Sequence, residues 1–224
     1  MKYEIQADGA YPCLEVTLSQ GETIVSEAGA MAWMDPSVKC KTAARGGIGA
    51  GLKRSFLGGE SFFQNEYSTD AGSARVTFVA GPAGEIRAIQ MDGERLMMER
   101  GAYLASSPTV TIDSKFQGLK GLFSEGMFVL QASGTGTMFW SSYGDIQEVQ
   151  VAGDYLVDNG YAVAWDASLQ YNVQRTGKNV RSFLFAQALM MRFSGHGRVW
   201  VQSRSPQSLA SFIFPFRPVK AKNS

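Results

Sequence analysis

Residues 46–60, GGIGAGLKRSFLGGE, set six glycines around Lys53 and Arg54 within fifteen residues. Glycine beside lysine is one way a backbone cradles phosphate. A P-loop requires G-x-x-x-x-G-K-[ST], so that N–H groups surround the phosphates while the lysine and hydroxyl reach phosphate and Mg²⁺. Gly46 and Gly51 have that separation, but Leu52 stands where lysine should be and neither Ser nor Thr directly follows Lys53. The dinucleotide pattern G-x-G-x-x-G also fails, because Leu52 takes the third glycine's place after Gly47 and Gly49. Residues beyond Gly59 suit a strand better than the helix both motifs need. Other catalytic sets are equally incomplete. His196 is the one histidine, with no Cys or His close in sequence and no G-x-S-x-G elbow to serve. Cys13 and Cys40 form no metal or redox motif and are expected to be a reduced pair. No metal centre, cofactor or catalytic residue is expected.

Stretches of alternating polarity must position whatever these residues do. RVTFVA, TVTID, MFVLQA, TMFWSS, SLQYNV and RVWVQS all read as strands. GERLMMERGA and SLASFIFPF could each hold a helical turn or short helix, without evident caps. Hydrophobic residues make up 45% and charged residues 18% of the 224, enough for a sizeable core. No run approaches the ~18 apolar residues of a spanning helix, and MKYEIQADG is not a signal peptide. A cytoplasmic protein, free or peripheral at a membrane, is expected.

Net charge is +1, but its distribution is uneven: residues 175–224 hold nine bases and no acid, while residues 101–174 hold two bases and seven acids. Mutual neutralisation of basic and acidic strands is the favoured explanation. An anion-facing surface over residues 175–222, for lipid headgroups or nucleic acid, is the alternative.

The chain also resembles itself. GETIVSEAGAMAW (21–33) matches GDYLVDNGYAVAW (153–165) without a gap, and GERLMMERGAYLA (93–105) is a weaker middle copy. Gly21, Gly93 and Gly153 each follow an alternating strand and precede an acid, which predicts equivalent hairpin turns. Trp33 and Trp165 match, and core packing is expected of both. A second block, GLKRSFLGGESFF, resembles GLKGLFSEGMF and then NVRSFLFAQALMM, which aligns Lys53 with Lys120 and Arg181. Lys53, Arg54, Lys120 and Arg181 are therefore the candidate anion-binding residues. Glu60 and Glu125 also align and could act as acid and base, but the third copy offers Ala186, and turn glutamates are the favoured reading. Phe212, Ile213, Phe214 and Phe216 form an apolar cluster expected to be buried, in an intramolecular groove or at a subunit interface. The repeats run approximately over 1–80, 81–141 and 142–216 of a single domain, followed by a basic tail, 217–224. They predict an all-β body of three units in pseudo-threefold arrangement.

GETIVSEAGAMAWMDPSV, FLGGESFFQNEYS, GLFSEGMFVLQASGTGTMFWSSYGDI and YLVDNGYAVAWDASLQYNV resemble the mitochondrial biogenesis (altered inheritance of mitochondria) family over nearly the whole chain. The resemblance implies three β-rich repeats, each similar to a short double-stranded β-helix unit of the tryptophan RNA-binding attenuation protein type. It carries no catalytic motif, and the eukaryotic member is tied to mitochondrial inner-membrane organisation. The expected function is thus a non-enzymatic structural or scaffold protein. Its expected partners are further copies of itself, other proteins or an anionic membrane surface, with nucleic acid less favoured.

Overall fold

The computed structural model describes residues 1–6, 11–43, 63–115, 129–175 and 189–217. Over these the protein is all-β, as expected. β1 (Lys2–Gln6), β2 (Cys13–Ser19), β3 (Thr23–Glu27), β4 (Met31–Met34), β5 (Val38–Ala43), β6 (Gln64–Thr69) and β7 (Ser73–Val79) come first. β8 (Ile86–Glu99), β9 (Tyr103–Ser106), β10 (Val110–Lys115) and β11 (Val129–Ser141) follow. Then come β12 (Ile146–Asp158), β13 (Ala162–Asp166), β14 (Gln170–Arg175) and β15 (Leu189–Gln202), and the helix α1 (Pro206–Ile213). One open sheet has the order β1–β2–β7–β4. The other runs β12–β15–β13–β8–β11–β9–β3–β6–β5, with β10 on β11 and β14 on β15. Neighbouring strands are antiparallel throughout, as in the β8–β11 and β12–β15 pairs.

Alternation builds the outer strands. In β2, Leu14, Val16 and Leu18 point into the core and their neighbours point away. The inner strands lose that pattern. Leu96, Met97 and Met98 are buried in succession, because β8 pairs with β11 on one side and β13 on the other and is covered on both faces. This is why GERLMMERGA is mostly strand: β8 runs on through Glu99, and the helical turn is confined to the 3-10 turn Arg100–Ala102. SLASFIFPF does become helical. The Ser205 side chain accepts from the Ser208 N–H and Pro206 opens the first turn, so α1 has a cap after all.

The glycine expectation needs correcting. Gly21, Gly93 and Gly153 have φ of 80°, 90° and 112°, which only glycine adopts freely. They do not turn hairpins, however. Gly21 lies between β2 and β3, while Gly93 and Gly153 lie inside β8 and β12. Beside Gly93 the β8–β11 register slips, as at a β-bulge, which bends the long strand.

Three side-chain clusters make up the core. Leu14, Ile24, Tyr67 and Phe78 centre one; Met91, Leu96, Tyr103 and Trp140 the second; Trp165, Met191, Phe193 and Val199 the third. Trp165 packs edge-on against Tyr171 and Phe193, with ring centroids 4.9 and 5.5 Å away. Trp33 departs from expectation: it is exposed on β4, which among the described residues pairs only with β7. The links into β8 and β12 run side by side. Gly84 and Gly144 form a parallel bridge, and the Glu85 carboxylate takes the Ile146 N–H at 2.7 Å and pairs with Arg87.

Candidate functional surface

Lys53, Arg54, Lys120 and Arg181, the candidate anion site, lie outside the described residues, as do Glu60, Glu125 and Ala186. Cys13 and Cys40 are free thiols, the first half-buried and the second exposed. His196 is an exposed residue within β15, opposite Ala152 of β12. Among the described residues, no group of three His, Cys, Asp or Glu side chains is placed to hold a metal ion.

Within the basic C-terminal third, Arg192 and Arg198 meet acids from the preceding stretch. Arg198 makes a two-pronged pair with Asp166, Nε to Oδ2 at 3.0 Å and Nη2 to Oδ1 at 2.9 Å, while its backbone N–H donates to the same carboxylate at 2.8 Å. It also stacks over Trp200, whose indole N–H donates to Glu148. Arg192 bonds Asp154 across the β12–β15 pair, and that bond holds the Asp154 carboxyl below its ordinary range. These pairs support neutralisation between strands over a continuous anion-facing strip.

Sequence reasoning passed over a buried polar knot where β3, β6 and β9 meet. The Tyr103 hydroxyl lies 3.0 Å from the Ser106 hydroxyl, donates to the Val25 carbonyl at 3.3 Å and receives the Gln64 amide at 3.1 Å. All four side chains and Ser26 are out of water. At its rim sit two carboxylates. Burial pushes Glu27 up to about 6, with nearby Arg100 opposing and Glu99 reinforcing the rise. Burial also raises Glu99, against the Gly101 N–H that it accepts at 2.9 Å. Asp158 accepts from Gly160 in the same way at 3.0 Å. Acid-x-Gly after a strand was the available signal, and it reports a cap on a tight turn.

The most conspicuous apolar surface lies at the C-terminal end. Leu209, Phe212, Ile213 and Phe216 recur at helical spacing along one side of α1 and the following 3-10 turn, Phe214–Phe216, while Gln207, Ser208 and Ser211 hold the other. Phe212 is 70% and Phe216 75% exposed, so the expected intramolecular groove does not cover them. Their rings lean on each other at 5.8 Å, and the Arg217 guanidinium sits 3.7 Å over Phe214. The segment is fixed at its root, where Gln202 donates to the Gly160 carbonyl and the hydroxyls of Tyr161 and Ser208 meet at 3.4 Å.

Open antiparallel sheets and, among the described residues, a short outward-facing amphipathic helix define the class: an all-β protein carrying an exposed apolar appendage. The chain belongs to the Mitochondrial biogenesis AIM24 family, whose model matches residues 3–204 and so stops just before α1. An uncharacterised protein of Streptococcus pyogenes serotype M6 is 26% identical over 231 residues, covering 99% of this chain and 93% of its own. The crystal structure of protein SPYM3_0169 from Streptococcus pyogenes has the same fold, with a TM-score of 0.81 over 96% of this chain and 99% of that one at 24% identity. No helix among the described residues is long and apolar enough to cross a membrane.

Proposed function

We propose that the protein is a non-enzymatic scaffold of three β-rich repeats that assembles with copies of itself and docks on an anionic membrane surface through α1 and the residues after it. The exposed aromatic stripe on α1 carries this reading. A short helix with Phe and Leu on one face, serines on the other and basic residues beyond it suits the headgroup boundary of a bilayer, where rings enter the acyl edge and cations meet lipid phosphate. Arg217, Lys220 and Lys222 supply the charge, and no acid lies anywhere in 175–224 to oppose it.

The order of strands supports three repeats. β2/β3, β4, β5 and β6/β7 are followed by β8, β9, β10 and β11, then by β12, β13, β14 and β15. In each set the first long strand pairs with the last, and both short strands also pair with the last. Each set would be a short double-stranded β-helix unit. A non-catalytic role accords with Glu27 and Glu99, whose setting is a structural junction and a turn cap.

Vesicle sedimentation tests the docking. Wild type should pellet with vesicles containing phosphatidylglycerol, less so at high salt, and remain in solution with phosphatidylcholine alone. Burying a phenylalanine is worth about 1.5 kcal/mol or more, so Phe212→Ser with Phe216→Ser should weaken binding roughly a hundredfold. Equal binding by wild type and the double variant, or equal binding to both vesicle types, would refute membrane docking.

A further inference from the structure

Two of the inter-repeat junctions in this chain are strand pairs. β9 lies antiparallel on β3, with Val25 opposite Ser106 and Ser26 opposite Ala105. β13 lies antiparallel on β8, with Met98 opposite Ala164 and Met97 opposite Trp165. In both, the first short strand of one repeat covers the second half of the long strand of the repeat before it. One copy of each half is left over. β4, the counterpart of β9 and β13, pairs with β7 on one edge, and no strand among the described residues pairs with the other. The second half of β12, the counterpart of β3 and of the end of β8, pairs among the described residues with β15 alone.

Burial follows the missing partner. Ile24 of β3 and Leu96 of β8 are fully buried, whereas their match in β12, Leu156, is 49% exposed. Ala105 of β9 and Trp165 of β13 are fully buried, whereas their match in β4, Trp33, is 55% exposed. Met34 and Tyr155 beside them are exposed as well. β4 reads MAWM and carries none of the lysines or prolines that blunt a free edge.

We infer that β4 of one copy pairs antiparallel with residues 155–158 of β12 of a second copy, Trp33 packing against the exposed Leu156. The inference rests on the three-repeat part of the proposed function and is independent of membrane docking. The occupant of each edge is specified by the chain itself, since the other edge has the form that fills the same place twice within the molecule. Because the two edges differ, the contact is heterologous: each joined pair leaves one β4 and one β12 free, and assembly proceeds to a closed ring or a longer array.

Analytical ultracentrifugation of the full chain with two edge variants tests this. Wild type should sediment as a species larger than its 24.3 kDa chain. Trp33→Lys spoils β4 alone and Leu156→Lys spoils β12 alone, so each variant by itself should be monomeric. Mixed together they retain one good edge of each kind and should form a species of two chains that grows no further. Both positions are on the surface of the single chain, so circular dichroism should show the wild-type fold even where loss of assembly lowers the melt; should either lysine variant unfold, Trp33→Thr and Leu156→Thr take their places. A monomeric wild type overturns both the edge pairing and self-association. Variants that keep the wild-type size, or a mixture that stays monomeric, overturn the edge pairing and leave self-association standing. α1 is unaltered in both variants, so vesicle binding reports separately on docking.

Discussion

Replacing Glu27 by glutamine should stabilise the protein at neutral pH and do nothing at acid pH. Burial at the β3–β9 junction raises this carboxyl from an ordinary 4.5 to about 6. A raised folded value means that the fold favours the neutral acid. Below about 4.5 the group is protonated in both the folded and unfolded chain and costs nothing. Between 4.5 and 6 the unfolded chain ionises first, and stability falls as pH rises; above 6 the whole penalty is present. A difference near 1.5 units corresponds to about 2 kcal/mol, and water reaching the half-buried carboxylate reduces this to about 1 kcal/mol. Glutamine keeps the shape and removes the charge. Thermal unfolding of wild type and Glu27→Gln at pH 4 and pH 7.5 should therefore give coincident melts at the lower pH. At the higher pH the variant should melt ~2–4 °C above wild type. Comparing the two proteins at each pH cancels distant acids such as Asp154, whose lowered value has the opposite sign, while relief of the Glu99 repulsion adds to the gain of the variant at the higher pH. A gap of the same size at both pH values, or a variant less stable at pH 7.5, would refute the account.

Tyr103→Phe deletes the hydroxyl shared by Gln64, Ser106 and the Val25 carbonyl and leaves a buried amide without its acceptor; urea unfolding should show a loss of about 1–3 kcal/mol, against no change for the exposed Tyr11→Phe. Gly84→Ala should be among the most damaging single changes, because a Cβ there would lie 2.1 Å from the Ser142 carbonyl oxygen and 2.5 Å from the Gly144 nitrogen. Its expected cost is about 3 kcal/mol in the same assay. Gly72→Ala, with nothing within 4 Å, should stay within about 0.5 kcal/mol of wild type.

The all-β class was legible because β2 and its like are half-exposed, and a half-exposed strand must alternate. Strand lengths were not. β8 reads through Gly93 and into GERLMMERGA as a break followed by a helix, because its second half is buried on both faces and its register slips beside the glycine. Both features depend on neighbours that local sequence does not display. The repeats were visible as matched residues, yet matching residues do not guarantee matching environments. Trp33 and Trp165 stand at the same place in GETIVSEAGAMAW and GDYLVDNGYAVAW; one is exposed and the other is sealed in the core. What separates them is the strand on the far edge, which β13 has in β8 and β4 lacks among the described residues. On the proposed three-repeat reading, an open array must end somewhere, and its first and last copies expose what the middle copy buries. The same logic explains why the cap glutamates escaped notice. Glu99 matters through Gly101 and Arg100 around a turn whose burial is set by the next repeat, while the lysines that drew attention, Lys53 and Lys120, belong to segments outside the described residues. On the three-repeat reading the informative departures are the places where one copy differs from its siblings in solvent exposure, and Trp33 with Leu156 is the pair in which both halves of the proposed junction show that difference together.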